Sequence, residues 1–193
     1  MPHLFTALPL ALLLAGTPQM ERKLNVQYTV TNVGGGLGVY VEEKVLFGMV
    51  PGGSGAPRWV AERVRRDRNW CGKHGADGKC VATDTTLHDW LDGTSCTAIA
   101  PAFTALQAIR PARFAPVRDF VIVSDSSTVT IKGTTTQAGF FTEISVSQAA
   151  GDFATWWHDS SNRWKSCWQQ GAPIVEGQAL APSLPASAPA TSQ

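Results

Sequence analysis

An excess of charge of either sign is missing from this chain. Its 16 Lys and Arg nearly cancel its 15 Asp and Glu, leaving a net charge of +1 over 193 residues. Without a global field the chain is not drawn to a polyphosphate or an anionic bilayer, so nucleic acid is not an expected partner. A long apolar run is also missing. The longest, Leu8 to Ala15, is broken by Pro9 and falls far short of the ~20 residues that span a bilayer, so no integral membrane segment is expected in the mature chain. There is no H-E-x-x-H, no EF-hand loop and no N-x-S/T sequon. Gly34, Gly36 and Gly38 do not make G-x-G-x-x-G. Gly72 to Lys79 has one residue too many before its Gly-Lys for a P-loop, and Cys80 stands where Ser or Thr is needed. Nucleotide, zincin and calcium chemistry are thereby set aside, and no cofactor is expected. With 44% hydrophobic residues the chain is too apolar for a disordered one. A globular protein remains, and no motif specifies its activity.

Both ends read as additions to the fold. Leu8 to Ala15 followed by Ala15-Gly16-Thr17 has the layout of a secretory signal and its cleavage site, so residues 1–16 are expected to be a signal peptide. Met20, ahead of Glu21, Arg22 and Lys23, is an alternative start without a signal. From Ala172 to Gln193 the chain is dominated by Ala, Pro, Ser and Gln, with Glu176 its only charge. So few large apolar groups do not offset ordering entropy, and residues 172–193 are expected to be a disordered tail. Between them, residues 17–171 form a single body large enough to bury roughly 70% of its unfolded surface.

Cysteine usage agrees with export. Cys71, Cys80, Cys96 and Cys167 are an even set, and in an oxidising compartment two disulfides are the default. Cys71 and Cys80 bracket a segment with three glycines and an Asp-Gly pair, in which the chain turns back easily. That leaves Cys96 with Cys167, closing a long loop and acting as the structural bond of the fold.

Alternation in Leu24 to Val33 predicts a half-buried strand, Gly34 to Gly38 a reversal, and the β-branched, aromatic run Val39 to Val50 a returning strand. Trp59 to Arg68 reads as strand. Phe120 to Val123, Thr128 to Gly133 and Phe140 to Val146 read as three more in a meander. Helical steps of three and four run from a cap at Thr94 or Ser95 to about Arg110, through Cys96, Ile99, Phe103, Leu106 and Ile109. A second helix, about Gly151 to Gln170, carries Phe153, Trp157, Trp164, Cys167 and Trp168 on one stripe. The fold class is α+β: an antiparallel sheet of five or six strands with two helices packed on one face, stapled by disulfides.

Trp90, Ser95-Cys96, Leu106, Arg110-Pro111-Ala112-Arg113, Thr130-Ile131-Lys132-Gly133 and Trp156-Trp157 with Cys167-Trp168 lie between residues 90 and 168. In these features the chain resembles a group of small exported bacterial proteins of unknown function, departing from it at Thr97, where proline is expected. The resemblance implies export and the Cys96–Cys167 pairing, and carries no activity.

Three constellations offer chemistry. Cys71, His74 and Cys80 are ligand types that zinc accepts, although oxidised sulfurs leave only a stapled turn with a solvated histidine. His88 beside Asp89, near Asp84, Asp92 and Ser95, allows a small hydrolase to be drawn, but Ser95 lacks a nucleophile-elbow context and serves better as a helix cap. Arg58 to Lys79 holds seven Lys/Arg against three Asp/Glu, with Trp59 and Trp70 interleaved. Arg58, Arg63, Arg65, Arg66, Arg68 and Trp70, with Trp156 from the second helix, therefore form the candidate binding surface, suited to an envelope protein or an anionic glycan. The sequence reads best as a periplasmic or secreted, noncatalytic binding or envelope-interaction module. The alternatives are the hydrolase around His88 and Ser95 and the zinc module around Cys71, His74 and Cys80.

Overall fold

The computed structural model describes residues 22–36, 38–52, 56–110, 126–137 and 139–185. The expected signal peptide, the Met20 start, the strand at Phe120 to Val123 and the end of the tail from residue 186 lie outside the described residues. Within them, β1 (Val26–Gly34), β2 (Val39–Val50), β3 (Arg58–His74) and β4 (Cys80–Asp92) precede α1 (Ile99–Ala108). Strands β5 (Ser127–Gln137) and β6 (Phe140–Gln148), α2 (Asp152–Arg163), a 3-10 turn (Lys165–Cys167) and a small hairpin of β7 (Ile174–Val175) and β8 (Gln178–Ala179) follow.

Six antiparallel strands make one sheet in the order β4-β3-β2-β1-β5-β6. The fold is α+β, with more sheet than helix. Gly34, at φ +146°, ends β1 where an added Cβ would lie 2.5 Å from the Ser127 backbone, so only glycine lets β1 and β5 close up there. Strand β4 was missed because Val81 to Asp92 mixes Thr, Asp and His into both parities, as an edge strand exposed over much of its length permits. Beyond Asn69, β3 has no β2 partner, so its last turn of sequence pairs with β4 alone and projects past the other strands.

Strand parity separates two cores. Val30, Val45, Phe47, Ala61, Leu91 and Val129 join the buried residues of α1 and α2, with Phe103 of α1 stacked 4.2 Å from Trp59 and set edge-on to Phe47 at 4.9 Å. The alternate parity supplies Leu46, Val50, Val60 and Trp90 to a second cluster. Val175, Leu180 and Leu184 cover that cluster, so the segment expected to be disordered from Ala172 is instead packed on the sheet as far as Pro185. It enters by a reciprocal backbone pair between Gln169 and Trp90 and leaves beside Lys23, where the Ala181 N–H donates to the Arg22 carbonyl.

The disulfides are Cys71–Cys80 and Cys96–Cys167. The first helix begins later than its sequence suggests. Asp92 organises residues 92–96, accepting from the Thr94 N–H and hydroxyl through its side chain and from Ser95 Oγ through its carbonyl, and regular helix starts only at Ile99.

Candidate functional site

The six expected binding residues of the Arg58 to Trp70 segment do not form a continuous basic surface. Pleating sends Arg63 and Arg65 to the face of the first core and Arg58, Arg66 and Arg68 to the opposite face. Each arginine also meets a carboxylate that lies elsewhere in the register: Arg58 with Asp92, Arg63 with Asp89 and Glu43, Arg65 with Asp67, and both Arg66 and Arg68 with Asp84. Hydrogen bonds from Arg66 hold the Asp84 carboxyl down at about 2, and the Arg66 guanidinium is raised in return. Trp70 is exposed, with Arg68 5.5 Å from its ring centre. Trp156 is buried, its indole N–H donating to the Ala102 carbonyl at 2.7 Å, because its side of α2 faces α1. It belongs to the first core.

His88 and Asp89 occupy neighbouring positions of β4 and therefore face opposite ways. His88 Nε2 is 2.8 Å from Glu62 Oε1, whereas Asp89 pairs with Arg63. Ser95 Oγ is engaged with the Asp92 carbonyl, so no hydrogen bond joins His88 to Ser95. Cys71, His74 and Cys80 do come together, with one ligand atom of each within 4.8 Å of the others, but the two sulfurs are bonded to each other.

The structure adds a cleft that the sequence did not announce. Register places Asn32, Glu43, Arg65 and Leu87 in one row across β1 to β4. In the next row inward, Val30 and Val45 are already core and continue into the Arg63–Asp89 ion pair. Trp157, His158, Ser161 and Asn162 of α2 rise on one side at helical spacing, and Lys165 and Trp168 close the end of a cleft of about 470 Å³. Its floor is mostly polar: Glu43 is 5% exposed, Asn32 and Arg65 are half-buried, and Asn32 Oδ1 is buried without a hydrogen-bond partner among the described residues. Arg63 lies under the Trp168 ring at 4.2 Å, bonds Asp89 at 2.5 Å and reaches Glu43 only at 3.5 Å. Arg65 is held in a fork by both oxygens of Asp67 at 3.0 Å, a pairing that raises its guanidinium.

Burial pushes the Glu43 carboxyl above its ordinary 4.5, more than the charges of Arg63 and Arg65 and bonds from Arg63 and Asn32 pull it down. A raised carboxyl favours folding fully below its unfolded value and loses that contribution as pH rises through the folded one. Ionised Glu43 is therefore a cost at neutral pH. Glu43→Gln is expected to melt above the parent at pH 7 and together with it near pH 4 in paired thermal scans; equal melting at both values would show that burial does not dominate. Sequence reasoning passed over Glu43 and Glu62, although a signal existed. Glu43 shares the parity of Val45 and Phe47, and Glu62 that of Val60 and Val64, so each is a carboxylate on a core-facing position.

These features define an α+β protein with a charged, partly aromatic cleft between its sheet and the exit of α2. No protein-family model matches the chain, and neither does any curated protein or solved structure.

Proposed function

We propose that the protein is an exported, noncatalytic binding module, with both helices covering one sheet face and the ligand seated in the cleft between the Asn32-Glu43-Arg65-Leu87 row and the end of α2. The observation that carries this reading is the cleft of about 470 Å³ itself, whose lining brings Arg65, Lys165 and Trp168 together beside the buried Glu43. A concave site that brings a few charged groups together beside an aromatic wall is the usual form of a small-molecule site. The ligand is a small polar molecule, placed along Trp168 and within reach of Lys165. Two disulfides and no free cysteine support residence in the periplasm or outside the cell.

The test is a thermal-shift panel of monosaccharides, amino acids and polyamines, followed by amide chemical-shift mapping of every compound that stabilises the protein. The expected result is a compound that moves the Asn32, Glu43 and Arg65 amides and binds roughly tenfold more weakly to Lys165→Ala, the equivalent of one hydrogen bond. A panel that leaves those amides unmoved, or unchanged affinity in Lys165→Ala, would overturn the cleft as the ligand site.

A further inference from the structure

The tip of the β3–β4 hairpin stands apart from the cleft and uses none of its residues. Cys71, His74 and Cys80 are all exposed there, with one ligand atom of each within 4.8 Å of the others. While the sulfurs are bonded they are not thiolate donors. The scaffold nevertheless has nearly the dimensions of a metal site. The two cysteine Cα atoms are 4.7 Å apart, and two thiolates about 2.3 Å from one tetrahedral zinc lie roughly 3.7 Å from each other, a separation that side-chain rotation supplies. Cys71 lies in the stretch between Asn69 and Lys73 where the ladder with β4 is out of register, so the sheet does not pin its backbone. His74 is tied only by Nδ1 to the Gly78 carbonyl at 3.2 Å, and Gly78, at φ +76°, makes the turn that brings the strands together.

The two disulfides differ in access. Cys96 is 1% exposed and sits in the first core, whereas Cys71 and Cys80 face solvent. Exposure admits a reductant to the hairpin bond and burial denies it to the other.

We propose that the Cys71–Cys80 disulfide is a redox gate over a zinc-type site formed by Cys71, His74 and Cys80. A dithiol reductant attacks one sulfur through a mixed disulfide and leaves as its own disulfide, having delivered two electrons and two protons to the protein sulfurs. The two thiols then release those protons as they and neutral His74 take up a divalent, thiolate-preferring cation, with water in the fourth position. Oxidised, the tip is a stapled hairpin; reduced, the same three residues bind metal.

The experiment uses the full protein, treated anaerobically with limiting dithiothreitol, freed of reductant and titrated with Co²⁺ as a spectroscopic probe for zinc. Peptide mapping is expected to find Cys71 and Cys80 reduced with Cys96–Cys167 intact. One equivalent of Co²⁺ then gives a thiolate-to-cobalt charge-transfer band that Zn²⁺ abolishes and that the oxidised protein never shows. His74→Ala weakens Co²⁺ binding at least about tenfold, the loss that removal of even an outer-shell partner brings. The paired change Cys71→Ser with Cys80→Ser removes the band, while circular dichroism of the body stays native. Simultaneous opening of both disulfides, no cobalt band after selective reduction, or a band indifferent to His74→Ala would each overturn the proposal.

Discussion

Glu62→Ala is expected to destabilise the protein by roughly 3–5 kcal/mol, the scale of two buried backbone donors left unpaired beside a new cavity. Glu62 is fully buried on β3, yet its carboxylate is well used. It accepts the Ser183 N–H at 2.9 Å and the Leu184 N–H at 3.0 Å, and His88 Nε2 lies 2.8 Å from it. Those two amides belong to the segment that covers Leu46, Val60 and Trp90. Alanine leaves two backbone donors and an imidazole facing a cavity, and the segment loses its hydrogen bonds at Ser183 and Leu184. Hydrogen exchange separates this effect from a general loss of stability. Amides from Val175 to Leu184 are expected to exchange far faster in Glu62→Ala while those of β1 and β2 slow or quicken only with global unfolding. Glu62→Gln keeps an acceptor and should retain part of the protection. Uniform acceleration along the chain would show that Glu62 supports the whole sheet and not the covering segment.

The second large effect is expected at Cys96–Cys167. The two cysteines are 71 residues apart, and opening a loop of that size releases unfolded-state entropy worth roughly 4 kcal/mol in the chain-entropy model. The bond joins the turn before α1 to the 3-10 turn after α2, and Cys96 is packed among Ile99, Phe103 and Trp164. Cys96→Ala with Cys167→Ala therefore loses cross-link and packing together. Opening Cys71–Cys80, a loop closed over 9 residues, is expected to cost roughly 2–3 kcal/mol on the same model, and its exposed position adds no core penalty. Urea titrations of the two paired variants measure both numbers. Equal losses would mean that the hairpin tip supports the sheet as strongly as the inter-helix bond does.

Parts of this architecture are legible in the residues and parts are not. Val39 to Val50 shows its strand through β-branched density, and Thr128 to Gly133 and Phe140 to Val146 lie inside β5 and β6. The two helical stripes reveal α1 and α2 because apolar residues recur with the helical period, although the second helix stops at Arg163 and gives way to a 3-10 turn before Cys167. Val175, Leu180 and Leu184 carry no period at all. Composition counts them as too few to order a segment, and that count omits the backbone bonds that Glu62 provides from 121 and 122 residues away. The basic segment misled for a related reason. A tally along the chain sees arginines accumulate, whereas strand pairing sets Asp84, Asp89, Asp92 and Glu43 beside them.

By itself the sequence determined what depends on near neighbours: the α+β class, the parity of the clearest strands, the helical stripes and the cysteine pairing made easy by a glycine-rich turn. Only the tertiary structure decided which charges are spent on one another, that the segment from Ala172 to Pro185 closes the second core, and that Asn32, Glu43, Arg65 and Leu87 share the floor of a cleft. The reason is physical. Propensity and periodicity act over a few residues, but the worth of a buried carboxylate or amide depends on partners within about 3 Å, and folding draws those partners from anywhere in the chain.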